Sequence, residues 1–129
     1  MSSLRSPLRR VLGLGSAKDG TAHFWSQRVS AVGIALLGCW FLVSLLALDL
    51  TSRAGVLAWI AAPQNSIALL LLGIALAWHS SLGVQVVIED YVHGPFVKVV
   101  ALILSKFAHF VAAATAIFSI LKIAFGGAA

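Results

Sequence analysis

Three long apolar runs, separated by short polar breaks, organise this chain. Residues 29–48 carry no charge and end at Asp49. Residues 66–88 carry no charged side chain apart from a chargeable imidazole at His79, and they stop at Glu89 and Asp90. The third run, 96–125, is interrupted by Lys98, Lys106, His109 and Lys122. About 20 helical residues cross a hydrocarbon layer of about 30 Å, so each run predicts one transmembrane helix. The connections agree with that count. Residues 49–65 carry Ser52, Arg53, Gly55, Pro63 and Asn65, with Pro63 placed to close an interfacial turn before the second span. Gly94–Pro95 breaks the chain between spans two and three, because proline disfavours helix at the residue before it. Trp25, Trp59 and Tyr91 fall near the expected span ends, where amphipathic rings settle at the headgroups. Lys98 and Lys122 can snorkel from the ends of span three, whereas Lys106 lies deeper.

The polar residues inside these runs carry the candidate chemistry. An imidazole at hydrocarbon depth is costly unless partnered, which makes His79 a functional candidate. At about 100° per residue, Ala75, His79, Gly83, Val86 and Asp90 share one helical stripe. Small residues one turn to either side of His79 leave a shallow trough, and the trough has two readings. Ala75 and Gly83 can let a neighbouring helix approach closely, with His79 bonding a carbonyl of that helix. Alternatively, the trough admits a flat macrocycle whose iron His79 ligates. A second axial ligand would be His109, the one other histidine of comparable depth, or a histidine from another subunit. Asp90 lies roughly 16 Å along the helix from His79, too far to touch an iron held there. Tyr91 can donate its hydroxyl to a carbonyl oxygen while its ring packs apolar groups, and Asp90 beside it can orient it or relay protons. An apolar path, a donor and a proton source near water are what a quinone requires.

Composition narrows the class further. Of 129 residues, 60% are hydrophobic and 10% charged, against roughly 45–50% and 25% in soluble domains, which excludes a soluble domain. The net charge of +5 comes from residues flanking the spans rather than from a basic face, so no nucleic-acid surface is expected. The single cysteine, Cys39, can make no internal disulfide and reads as a small packing residue. The segment 1–28 is basic and serine-bearing, compatible with an organellar transit peptide or with a basic cytoplasmic tail, and is read as part of the mature protein. It holds Arg5, Arg9, Arg10, Lys18 and Arg28, against Arg53 alone in the loop after span one. The positive-inside rule then places the N-terminus in the cytoplasm and Glu89, Asp90, Tyr91 and His93 on the same side. The expected layout is an interfacial N-terminal segment 1–28, a three-helix membrane anchor 29–125 and a short tail 126–129, forming part of a larger all-α bundle.

The string His79-x-x-x-Gly83-x-Gln85-Val86-Val87-Ile88-x-Asp90-Tyr91-Val92-His93-Gly94 resembles the second-helix signature of the small hydrophobic anchor subunit of succinate dehydrogenase. The stretch Gly15-Ser16-Ala17-Lys18-Asp19-Gly20-Thr21-x-His23-Phe24-Trp25-x-Gln27-Arg28 resembles the approach to the first helix in alphaproteobacterial members. Together with the three-span layout the resemblance covers most of the chain, while the loop and third span carry little signature. It implies a place in respiratory complex II, within the tricarboxylic acid cycle and respiratory electron transport. There a flavoprotein subunit oxidises succinate, an iron–sulfur subunit carries electrons, and two membrane anchors build a ubiquinone site and each supply one axial histidine to a shared haem b.

By position, the resemblance makes His79 this chain's haem ligand, with the second histidine coming from the sister anchor rather than from His109. It makes Tyr91 the donor to the ubiquinone carbonyl, Asp90 its support and proton source, and Arg28 a neighbour of the haem propionates and quinone pocket, although Arg28 read alone is an ordinary basic anchor. The chain itself has no nucleotide fingerprint, flavin motif or cysteine cluster, so succinate chemistry is expected in the flavoprotein and iron–sulfur partners and this chain is a non-catalytic anchor. The alternatives are a fumarate reductase anchor, a standalone b-type cytochrome pairing His79 with His109, and a cofactor-free assembly protein. The expected location is the bacterial inner membrane, with the mitochondrial inner membrane as the other choice.

Overall fold

The computed structural model describes residues 18–126 and is all-helical over them. The basic residues Arg5, Arg9 and Arg10, the motif positions Gly15, Ser16 and Ala17, and all of the tail beyond 126 lie outside the described residues. Helix α1 runs Lys18–Ala47, α2 Arg53–Ala61, α3 Pro63–Tyr91 and α4 Pro95–Ala124. Three of these are long and apolar enough to cross a membrane: Thr21–Ala47, Pro63–Tyr91 and Pro95–Ala124. The protein is therefore a multi-pass, all-α membrane protein, and each expected span is present. The helices extend past the uncharged cores because amphipathic ends still gain backbone hydrogen bonds where the chain leaves the hydrocarbon. Residues 18–28 accordingly continue α1 without a break.

The connection between the first two spans differs from a simple turn. Asp49 accepts hydrogen bonds from the Thr51 hydroxyl at 2.6 Å and the Thr51 amide at 3.0 Å, which fold the chain back after α1. Those bonds hold the exposed Asp49 carboxyl below its ordinary pKa. Ser52 then caps α2 by accepting from the Gly55 amide at 3.1 Å. The helix ends at Ala62, whose extended backbone lets Pro63 take the first position of α3, where the missing amide hydrogen costs nothing. Pro63 thus starts a helix instead of closing a turn. Two side chains rivet the α2–α3 corner. Asn65 donates to the Trp59 carbonyl at 2.8 Å, and Ser66 donates to the Ile60 carbonyl. Pro95 repeats the Pro63 device at the start of α4.

Packing centres on α3. Helices α1 and α4 each lie against α3 and not against one another, and α2 touches α3 and α4. Trp59 of α2 stacks on Trp40 of α1, with centroids 5.8 Å apart and planes 20° from parallel, and meets Phe41 at 6.4 Å. Trp40 therefore packs against a neighbouring ring. Among the described residues only Leu72 and Ser66 are buried, and large apolar side chains such as Leu36, Leu46, Phe110 and Phe118 face outward. That surface suits lipid and further helices; it would not be stable in water.

The stack gives a direct test of the α1–α2 contact. Trp59→Ala is expected to lower the stability of the purified protein in detergent by roughly 0.5–1.5 kcal/mol beyond the lost area, while Trp59→Phe retains most of it. Thermal melts with near-ultraviolet circular dichroism measure this, and equal melting of both variants and the parent would discard the stack as a stabilising contact.

Candidate functional site

His79 lies near the middle of α3, about 24 Å from Pro63 and about 18 Å from Tyr91 by helical rise. Its ring is half-buried and turned toward α1. The Ser30 Oγ stands 3.0 Å from His79 Nδ1, and the Gln27 side-chain nitrogen stands 3.5 Å from His79 Nε2. Gly83, one turn further along α3, faces the same strip: a Cβ there would lie 3.7 Å from the Gln27 amide nitrogen. Gly83 therefore lets α1 approach closely beside His79, and α1 meets the imidazole with polar side chains rather than with the carbonyl envisaged from sequence.

Those α1 side chains form a stripe that the sequence reading passed over. His23, Gln27 and Ser30 recur at offsets of four and three, the spacing of one helix face. His23 precedes the uncharged run that begins at residue 29, which by sequence alone puts it at the membrane interface. With α1 beginning at Lys18 it is half-buried, and its Nε2 is buried without a hydrogen-bond partner among the described residues. Gln27 Oε1 is in the same condition. Buried polar atoms left unpaired in an apolar setting are costly, so these two atoms mark the polar stripe of α1 as a place for a further polar group. The signal was available in the sequence, as three polar residues at helical spacing leading into an otherwise apolar span.

The opposite side of α3 builds a separate feature. Trp78, Ser81 and Gln85 of α3 face Lys106, His109 and Phe110 of α4 across a largely apolar cleft of about 430 Å³. His109 donates from Nδ1 to the Ser105 carbonyl at 2.7 Å, within its own helix. His79 points to α1 and His109 into the α3–α4 cleft, so the two imidazoles open to different sides of α3. The intrachain histidine pair considered from depth alone is not formed.

Asp90 and Tyr91 close α3 at its C-terminal end. Both are exposed, Tyr91 at 77%, and neither side chain has a hydrogen-bond partner among the described residues. The end is held in place nonetheless. Gln85 donates to Glu89 at 2.8 Å, and Lys98 reaches back from α4 to the Glu89 carbonyl at 2.9 Å. The helix thus presents a phenol and a carboxylate on a fixed stub. Arg28 is exposed on α1 with its guanidinium 5.1 Å from the centre of the Phe24 ring, a cation–π contact. It is not brought against His79.

Among the described residues no group of three or more His, Cys, Asp or Glu side chains is placed to hold a metal ion. A lone imidazole facing a crevice with small neighbours suits a metal that brings its own equatorial ligands.

Comparison with known proteins bears on the same residues. The model of the family "Succinate dehydrogenase/Fumarate reductase transmembrane subunit" matches residues 2–122. A succinate dehydrogenase hydrophobic membrane anchor subunit from Rickettsia bellii is 37% identical over 89 residues, 68% of this chain and 70% of that one. The protein of the same description from Paracoccus denitrificans is 29% identical over 121 residues, 94% and 93% of the two chains. A succinate dehydrogenase membrane anchor subunit from Reclinomonas americana is 31% identical over 100 residues, 75% and 83%. No solved structure matches the chain. With three apolar spans, a polar crevice at mid-helix and this near full-length match, the chain belongs to the succinate dehydrogenase/fumarate reductase transmembrane subunit family.

Proposed function

We propose that this chain is the haem- and quinone-bearing anchor of a succinate:ubiquinone oxidoreductase in a bacterial inner membrane. Its N-terminal side and the α3–α4 connection face the cytoplasm, where it docks a flavoprotein and an iron–sulfur subunit beside a second membrane anchor. The observation that carries the reading is the placement of His79. It sits near the middle of α3, on the face turned toward α1, beside Gln27, whose side-chain oxygen is buried without a partner among the described residues. The succinate-oxidising direction follows the names of the relatives, which are succinate dehydrogenase subunits.

In this reading His79 would hold the iron of a haem b together with a histidine of the sister anchor, since His109 opens to the far side of α3. The haem, when bound, holds one electron at a time. Arg28, one residue beyond Gln27 on α1, would neutralise a haem propionate in this reading, giving up its ring contact with Phe24. At the end of α3, Tyr91 donates its hydroxyl to a ubiquinone carbonyl while Asp90 orients the phenol and passes protons in from water. Both side chains are exposed and unpaired among the described residues, which leaves their hydrogen-bonding capacity for a partner. The large outward-facing apolar surface gives the quinone tail and the sister helices somewhere to lie.

Two measurements test this. His79→Ala, purified in the assembled complex, is expected to lose the b-type absorbance; full retention would reject the ligand assignment. Tyr91→Phe is expected to lower ubiquinone reduction on the order of 100-fold while succinate oxidation by an artificial dye persists. Equal loss of both activities would reject the Tyr91 role.

A further inference from the structure

We infer that Ser30 of α1 is a positioning residue for His79, fixing the ring's hydrogen on Nδ1 and so presenting a bare Nε2 to iron. The inference rests on His79 being a haem ligand.

A serine hydroxyl has one hydrogen and two lone pairs. The Ser30 hydroxyl lies 2.8 Å from the Ser26 carbonyl and 3.1 Å from the Gln27 carbonyl, both acceptors on its own helix. Its hydrogen is therefore committed to its own backbone, one turn back, a common arrangement for serine in an apolar helix. What the oxygen still offers to His79 Nδ1 at 3.0 Å is a lone pair, and the bond requires that Nδ1 carry the hydrogen and donate it. The other ring nitrogen agrees. Gln27 turns its amide nitrogen, a donor group, toward His79 Nε2, and Nε2 can meet a donor only as an acceptor. The two contacts agree on one tautomer.

They differ in strength. The Ser30 contact has ordinary hydrogen-bond length, whereas 3.5 Å to Gln27 is at the outer limit and yields easily. A ligand arriving at Nε2 displaces the weak contact and leaves the strong one intact. Ligating histidines are as a rule held by a hydrogen bond at the other nitrogen, which sets ring orientation and raises ligand basicity. Here the acceptor is a neutral hydroxyl on a different helix. The α1–α3 packing that buries Ser30 therefore also aims the ligand.

The test uses the assembled complex. Ser30→Ala removes the acceptor, and Ser30→Thr keeps a hydroxyl that can make the same bond to its own carbonyl. Ser30→Ala is expected to weaken haem retention by about 10- to 100-fold. It is also expected to raise the midpoint potential, because a less basic imidazole stabilises the ferric state less, and Ser30→Thr should restore both. If Ser30→Ala lowers thermal stability but leaves the potential and the low-spin ferric spectrum unchanged, Ser30 is a packing residue only and the inference falls. The underlying reading fails separately: that would be shown by His79→Ala keeping its haem. A complex that loses haem with His79→Ala but is indifferent to Ser30→Ala overturns the Ser30 role alone.

Discussion

Inside a bilayer no water is available to satisfy a polar side chain, so every such group must find its partner within protein. The bond between Ser30 and His79 is where this constraint acts most strongly on the chain. It joins the middle of α1 to the middle of α3, and the pairing of those two helices follows from it. Gly83 keeps the contact close by offering no side chain to the Gln27 amide. Hydrophobic burial contributes little to such association, because lipid tails are as apolar as leucine. Hydrogen bonds, small residues and aromatic stacking do the joining, as at Ser30–His79, Gly83 and Trp40–Trp59.

Helix α3 consequently has two unlike faces. Toward α1 it carries His79 and Gly83 against a polar stripe. Toward α4 it carries Trp78, Ser81 and Gln85 over an apolar cleft that contains Lys106 and His109. Neither outer helix shields the other, since α1 and α4 do not meet. The result is a thin layer with two buried residues among those described, a shape whose remaining surface calls for the lipid and companion subunits that membership of this family entails.

Much of this was readable from the residues. Charge-free runs bounded by Asp49, Glu89 and Asp90 located the spans, and the isolated imidazole singled out His79, because lone polar groups stand out where everything around them is apolar. The ends were harder. Amphipathic stretches at 18–28 continue as helix without any break in composition, and this hid the depth of His23. Helix α2 was missed because its evidence is local: a Ser52 cap and a nine-residue apolar segment look like loop until Trp59 finds Trp40. The partner of His79 needed two helices in register, and a single-helix wheel cannot supply that. The match of the chain to its family bears out the resemblance drawn from the His79–Gly94 string, while the separation of His79 from His109 turns on which side of α3 each faces, something depth alone does not encode.

The lengths of the helices carry one more consequence. Helices α1 and α4 each have 30 residues and α3 has 29, so each spans about 45 Å by rise alone, against about 30 Å of hydrocarbon. The surplus is taken up by tilt or by overhang. With overhang, the last turns of α3, which carry Asp90 and Tyr91, stand among the headgroups. Bilayer thickness would then govern how far those two side chains rise above the tails, so that lipid composition sets the polarity around the end of α3.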